Sequence, residues 1–319
     1  MKEHQTLRAI LKSHDLPLVL STLCMKKGPA YRGVGARMVS DGNKILSGSI
    51  SGGCIEGDLL LKMKEVLKTG QSQLIPYDLS KDAVDPFGYG MGCDGTFSVL
   101  LQGPLQYALY CQSIDRVCEK RESVCLTTNL MEGPSLGEQK IYHHKPDELP
   151  GFLYEEFHPP ISLILFGGGR DVEPLVALAG ILGWHVYLTD YRKGYLLEKL
   201  QSPWVTTIHG SIEQIMKQIS FDSSTAFVSM THQLEKDTEM VSKVMETQCF
   251  YIGLMGHRDR LKGLSGTVLK QDSRFYSPIG LDLGAKEPSE IALSLCSEIL
   301  ALYNDGKGIP LSNGSRILS

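Results

Sequence analysis

Apolar residues in the second half of the chain come in short blocks separated by helix-patterned stretches. ISLILF (161–166) is nearly continuous, as a parallel strand covered on both faces should be. HVYLTD (185–190), VTTIH (205–209), TAFVSMTH (225–232) and CFYIGLMG (249–256) repeat the signal. A helix through VALAGIL (176–182) stops at Gly183. The last helix starts near Pro288, a residue suited to a first turn. Strands alternating with helices imply a parallel sheet with right-handed crossovers. The predicted fold class is α/β, with this half a Rossmann-like doubly wound domain.

The first half has a different rhythm. Residues 1–15 form an amphipathic helical pattern, and PLVLSTLCM (17–25) is an apolar strand. ARMVS and KILSGSI flank Asp41-Gly42, a hairpin signal. Glu56 to Thr69 places apolar residues at 59, 60, 63, 66 and 67, a helical stripe closed by Gly70. QLIPYDL and GTFSVLL read as strands on either side of KDAVDPFGYGMGCDG, which is too rich in glycine for regular structure. A helix over about 105–121 and strands at SVCLTT and QKIYHH complete an α+β domain. Residues 145–160, with four prolines and four acids, read as a linker. The expected domains are therefore 1–150 and 160–319.

The 319 residues suffice for about two domains, and the 42% hydrophobic and 21% charged content fits a globular protein. No run reaches the roughly 18 apolar residues of a membrane-spanning helix. The charged N-terminus lacks the apolar core of a signal peptide, so a cytoplasmic location is expected. A net charge of −4 and the lack of a basic block interleaved with aromatics argue against a nucleic-acid partner. Eight cysteines without a CxxC pair do not suggest a zinc ribbon, and no metal site is predicted. Cys24, Cys111, Cys118, Cys125, Cys249 and Cys296 read as core fillers, free cysteine being among the most buried residues.

Three stretches carry candidate chemistry. In SISGGCIEG (49–57), Cys54 sits in a glycine turn that opens a helix. The positive end of a helix dipole favours a thiolate, while Glu56 and Asp58 oppose it. Cys93 occupies an equally glycine-rich segment. The pair suits cofactor contact, persulfide relay or a disulfide; alternatively both fill gaps where loops pack. The second stretch is KKGPAYRGVGARM (26–38), read as an exposed basic loop. The third is Gly167-Gly168-Gly169, between a strand and a helix, with Asp190 about twenty residues on. This is a partial dinucleotide fingerprint, Val172 replacing its last glycine. It supports an NAD(P)-dependent oxidoreductase or a tight turn without a ligand. His232 and Arg258 close later strands on the same edge, as a proton shuttle and a phosphate fork, or as an exposed histidine and a helix-start ion pair.

Read together, GVGARM (33–38), SISGGCIEG (49–57), GMGCDG (90–95), FGGG (166–169), MTH (230–232), YIGLMG (251–256) and PIGLDLGA (278–285) resemble the xanthine dehydrogenase accessory factor family (XdhC/CoxI) over nearly the whole chain. Arg170-Asp171 stand where that family usually has a histidine, and GCDG replaces GCGG. The resemblance implies a chaperone more than a turnover enzyme. Such a protein binds the molybdenum cofactor transiently and assists its sulfuration with a cysteine desulfurase. It then delivers the cofactor to an apo xanthine dehydrogenase-type hydroxylase. A homodimer is expected. The candidate set is then Cys54, Cys93 and His232 for chemistry. Arg37 (on a pterin phosphate), Gly52, Gly53, Glu56, Gly167, Gly168, Gly169, Asp190 and Arg258 are the candidates for binding.

Overall fold

The structure is a computed structural model that describes residues 1–28, 31–78, 95–196, 200–256 and 272–311. The chain divides into two units, Met1–Pro159 and Pro160–Ser319.

The N-terminal unit is built on a five-stranded antiparallel sheet in the order β3-β2-β1-β5-β4. Its strands are β1 (Val19–Lys27), β2 (Arg37–Ser40), β3 (Ile45–Gly48), β4 (Gln73–Asp78) and β5 (Thr96–Gln102). Both faces are covered, which explains why β1 reads as a continuous apolar run. Val19 and Leu23 pack toward helix α2 (Glu56–Thr69), whose Leu59, Met63 and Val66 form its buried stripe. Leu18 and Leu20 face α1 (Lys2–Ser13) and α3 (Ala108–Glu119). Gly70 ends α2 in the left-handed region at φ 70°, as a C-terminal glycine does. The basic stretch is not one exposed loop: Lys26 and Lys27 continue β1, and Arg37 opens β2.

A second, three-stranded sheet has the order β7-β6-β8, with β6 (Val124–Asn129) between β7 (Gln139–Tyr142) and β8 (Phe152–Phe157). Strand β8 corrects the linker expectation. Leu153 and Phe157 are buried on the face that also holds Glu155, so the residues around the two acids form a sheet edge.

The C-terminal unit contains a six-stranded sheet in the order β11-β10-β9-β12-β13-β14, every pairing parallel. The strands are β9 (Ser162–Phe166), β10 (His185–Asp190), β11 (Val205–His209), β12 (Thr225–Ser229), β13 (Tyr251–Leu254) and β14 (Phe275–Tyr276). Alternate residues of β9 serve opposite cores. Leu163 and Leu165 pack with α4 (Glu173–Leu182) and α7 (Pro288–Tyr303). Ile164 and Phe166 pack with α5 (Ile212–Gln218) and α6 (Leu234–Met245). The strand order reverses between β9 and β12, the topological switch point where open α/β sheets place ligands. No helix among the described residues is long and apolar enough to cross a membrane.

Candidate functional site

The turn between β3 and α2 is held by one serine and one carboxylate. Ser51 Oγ accepts the backbone N–H groups of Gly53 (3.2 Å), Cys54 (3.0 Å) and Ile55 (3.4 Å). The hydroxyl donates to Glu56 Oε2. Glu56 Oε1 accepts from the N–H groups of Ser51 at 2.8 Å and Ile50 at 3.3 Å. Burial works against the charge of Glu56, but the Ser51 hydroxyl and these N–H groups outweigh it and hold the carboxyl below its ordinary range. Glu56 therefore faces into the turn it supports. Gly53 takes φ +112°, a conformation other residues rarely adopt, while a Cβ on Gly52 would meet only the Tyr31 ring, at 3.9 Å. The result presents a half-buried Cys54 just before the helix, its N–H fixed and its side chain against the edge of the α2 core.

Cys93 lies outside the described residues, but the strands flanking its segment are placed. Lys27, Thr96 and Asp78 are register neighbours at one end of the five-stranded sheet. Gly48 pairs with Met38 and Met38 with Ser21, so β3 runs in the direction of β1, toward that end. Tyr77 Oη donates to Asp58 Oδ2 at 2.6 Å and ties the end of β4 to the first turn of α2. The other described cysteines differ from Cys54. Cys24, Cys111, Cys125, Cys249 and Cys296 are buried, and Cys118 sits on α3. Burial pushes all six thiols up, those of Cys24 and Cys296 to about 12 and those of Cys111 and Cys249 to about 11. No group of three or more His, Cys, Asp or Glu that could hold a metal ion occurs among the described residues.

Arg37 is 2% exposed. Its guanidinium lies 4.3 Å from the Tyr110 ring centroid and pairs with Glu155 Oε2 at 2.5 Å. It also donates to the Gly35 carbonyl at 3.0 Å. Arg37 thus joins β2 to β8 and α3, and a phosphate would reach it only by displacing Glu155.

In the C-terminal unit the glycine turn is filled by its own chain. A Cβ on Gly167 would meet the Met230 carbonyl oxygen at 2.6 Å, and one on Gly168 would meet that of Tyr195 at 2.4 Å. The Gly168 N–H, which a pyrophosphate would use, donates to Asp190 Oδ2 at 2.8 Å. Asp190 is fully buried. It also takes two bonds from the Arg192 guanidinium and one from the Arg192 N–H. Arg192 stacks on the Tyr195 ring at 3.6 Å and reaches the Thr231 carbonyl, spanning the switch point. Gly169 leads into a short 3-10 turn whose Asp171 accepts from His232 Nε2 at 3.1 Å. Arg258 lies outside the described residues. Sequence reasoning missed Arg192, Asp171 and the buried Asp237, which accepts from Ser229, the Thr231 hydroxyl and the Thr231 N–H. The Asp-Tyr-Arg order at 190–192, a carboxylate two residues before a guanidinium at a strand end, was the available signal.

Residues 12–78 match the XdhC and CoxI family, and residues 163–299 match the XdhC Rossmann domain. A protein of Bacillus subtilis, named as a probable subunit of xanthine dehydrogenase, is 32% identical, covering 93% of this chain and 96% of that protein. The molybdenum cofactor insertion chaperone PaoD of Escherichia coli is 23% identical over 89% of this chain and 83% of its own. A crystal structure described as a xanthine dehydrogenase from Bacillus halodurans superposes with a TM-score of 0.81 at 26% identity, covering 98% of this chain and 99% of that one.

Proposed function

This chain belongs to the XdhC and CoxI family, and from that premise we propose that it carries a molybdenum cofactor to an apo molybdenum hydroxylase of the xanthine dehydrogenase type. The observation that carries the reading is the Cys54 turn. A soft thiolate suits molybdenum and sulfur. Cys54 is the described cysteine on a turn rather than in a strand, a helix or a core. The cofactor is cargo in this reading, held transiently and released. PaoD, named for cofactor insertion, shares most of the chain's length and supports the same direction.

Sulfuration before delivery extends the proposal, with a cysteine desulfurase as the sulfur source and Cys54 and Cys93 as the thiols concerned. The NAD(P) reading draws on the Rossmann strand order alone, since the Gly168 N–H and the Asp190 carboxylate are engaged within the chain. The test is transfer. Cofactor-loaded protein is mixed with an apo hydroxylase and the regained hydroxylase activity is followed. Wild type should restore activity, and Cys54→Ser should restore a small fraction at equal stability. Equal transfer by both would remove Cys54 from the route.

A further inference from the structure

The Cys54 reading leaves the switch point of the C-terminal sheet without a role. A cavity of about 200 Å3 opens there beside α4 and α7. Its floor is Leu175, Met230, Ala292 and Leu295, none more than 3% exposed. Asp171, Met255 and Ile279 stand at its half-buried rim. Ile279 belongs to PIGLDLGA, whose fold is fixed from α7. Glu298 accepts the Gly280 N–H at 2.9 Å, and Ser294 donates to the Leu281 carbonyl.

The acid at this rim is positioned. His232 holds Asp171 Oδ2, and His232 itself takes φ +63°, a conformation uncommon for a residue with a side chain. The neighbouring residues impose it. Thr231 gives both its N–H and its hydroxyl to the buried Asp237, at 3.0 and 2.7 Å, and its hydroxyl accepts the Gln233 N–H at 3.2 Å. A residue held in a sparse backbone region by over-determining contacts is a recurrent mark of ligand sites.

Size and lining set the ligand class. An engineered cavity of about 150 Å3 lined by apolar side chains takes benzene. The present volume therefore suits one ring or two fused rings. Two methionine thioethers favour an aromatic face. A carboxylate is an acceptor and calls for N–H donors on the ligand. A dinucleotide does not suit the site, because the Tyr195 backbone abuts Gly168 and the Gly168 N–H that would hold a phosphate is taken by Asp190.

We propose that this cavity binds a flat one- or two-ring heterocycle whose N–H edge meets Asp171, with His232 positioning the carboxylate. The inference rests on the cavity and stands whether or not Cys54 carries molybdenum. The pterin portion of a molybdenum cofactor and a free purine base share this chemistry. The test titrates the full-length protein with 6-methylpterin and, separately, with adenine. Saturable one-to-one binding of at least one ring is expected. Asp171→Asn should weaken it about tenfold or more at unchanged thermal midpoint, because a hydrogen bond to a charged group is lost. Ile279→Trp, which carries an indole into the cavity, should abolish it. Should that variant fold poorly, Asp171→Asn, which keeps the side-chain shape, decides alone. Preference for the pterin would mark a cofactor site and preference for adenine a purine site. Binding of neither ring, or binding unchanged by Asp171→Asn, would overturn the proposal.

Discussion

Ser51 and Glu56 bind the Cys54 turn into one hydrogen-bonded unit, so a change at either residue should be felt by both the turn and the fold. Glu56→Gln must turn an amide N–H2 group toward one of three donors now accepted by the carboxylate. We expect a loss of about 1–3 kcal/mol, read as a lower denaturation midpoint at unchanged slope. The pH dependence has a definite sign. The folded Glu56 carboxyl lies below its ordinary value, so its contribution is fully present above about pH 4.3 and is lost as pH falls through the folded value. Acid titration of stability should therefore be shallower in Glu56→Gln than in wild type. Thiol chemistry offers a second check at this scale. Under native conditions a small alkylating reagent should modify Cys54 first among the seven described cysteines. Cys24, Cys111, Cys249 and Cys296, with thiols pushed up by burial, should react only on unfolding. Fast labelling of Cys24 in the native protein would contradict the packing described for β1.

At the scale of elements, the pair Arg37–Glu155 fastens the edge strand β8 to β2. Arg37→Met should cost about 3–5 kcal/mol, because it strands a buried carboxylate, and adding Glu155→Leu should recover most of that loss. Chemical denaturation of the single and double variants measures both. Helix α1 docks through His4, whose Nδ1 lies 2.9 Å from Tyr110 Oη. Burial first, then the charge of Arg37, push its pKa down to about 3. A folded value below the unfolded 6.5 means full stability above pH 6.5 and progressive loss as pH falls toward about 3. His4→Gln should remove that part of the slope. These contacts also explain why β8 was hidden in the sequence. Leu153, Glu155 and Phe157 share a face, and an acid in the middle of an apolar alternation reads as polar linker until Arg37 is seen opposite it. The helix Glu56–Thr69, by contrast, was legible to its ends, because its stripe and its terminal glycine are local signals.

At the scale of the whole molecule, each unit carries its own hydrophobic cores among the described residues. A fragment of residues 160–319 should therefore fold alone and unfold in one cooperative transition, observed by circular dichroism. Five strands of the parallel sheet were legible because buried parallel strands announce themselves as apolar runs, whereas the two-residue edge strand β14 was not read. What the glycine turn contacts was not legible, since the Tyr195 backbone reaches it from beyond β10 and a partial fingerprint does not record what fills it. The candidate site divides in the same way. Cys54 stood out from its glycine setting, whereas the Asp171–His232 pair joins residues 61 apart in sequence and emerges only from the fold. The central claim, that the Cys54 turn holds molybdenum cofactor, is tested most directly by loading purified protein with released cofactor and measuring molybdenum per chain after desalting. Wild type should retain close to one equivalent, and Cys54→Ser should retain almost none at the same thermal midpoint. Equal retention by the two proteins would contradict the account.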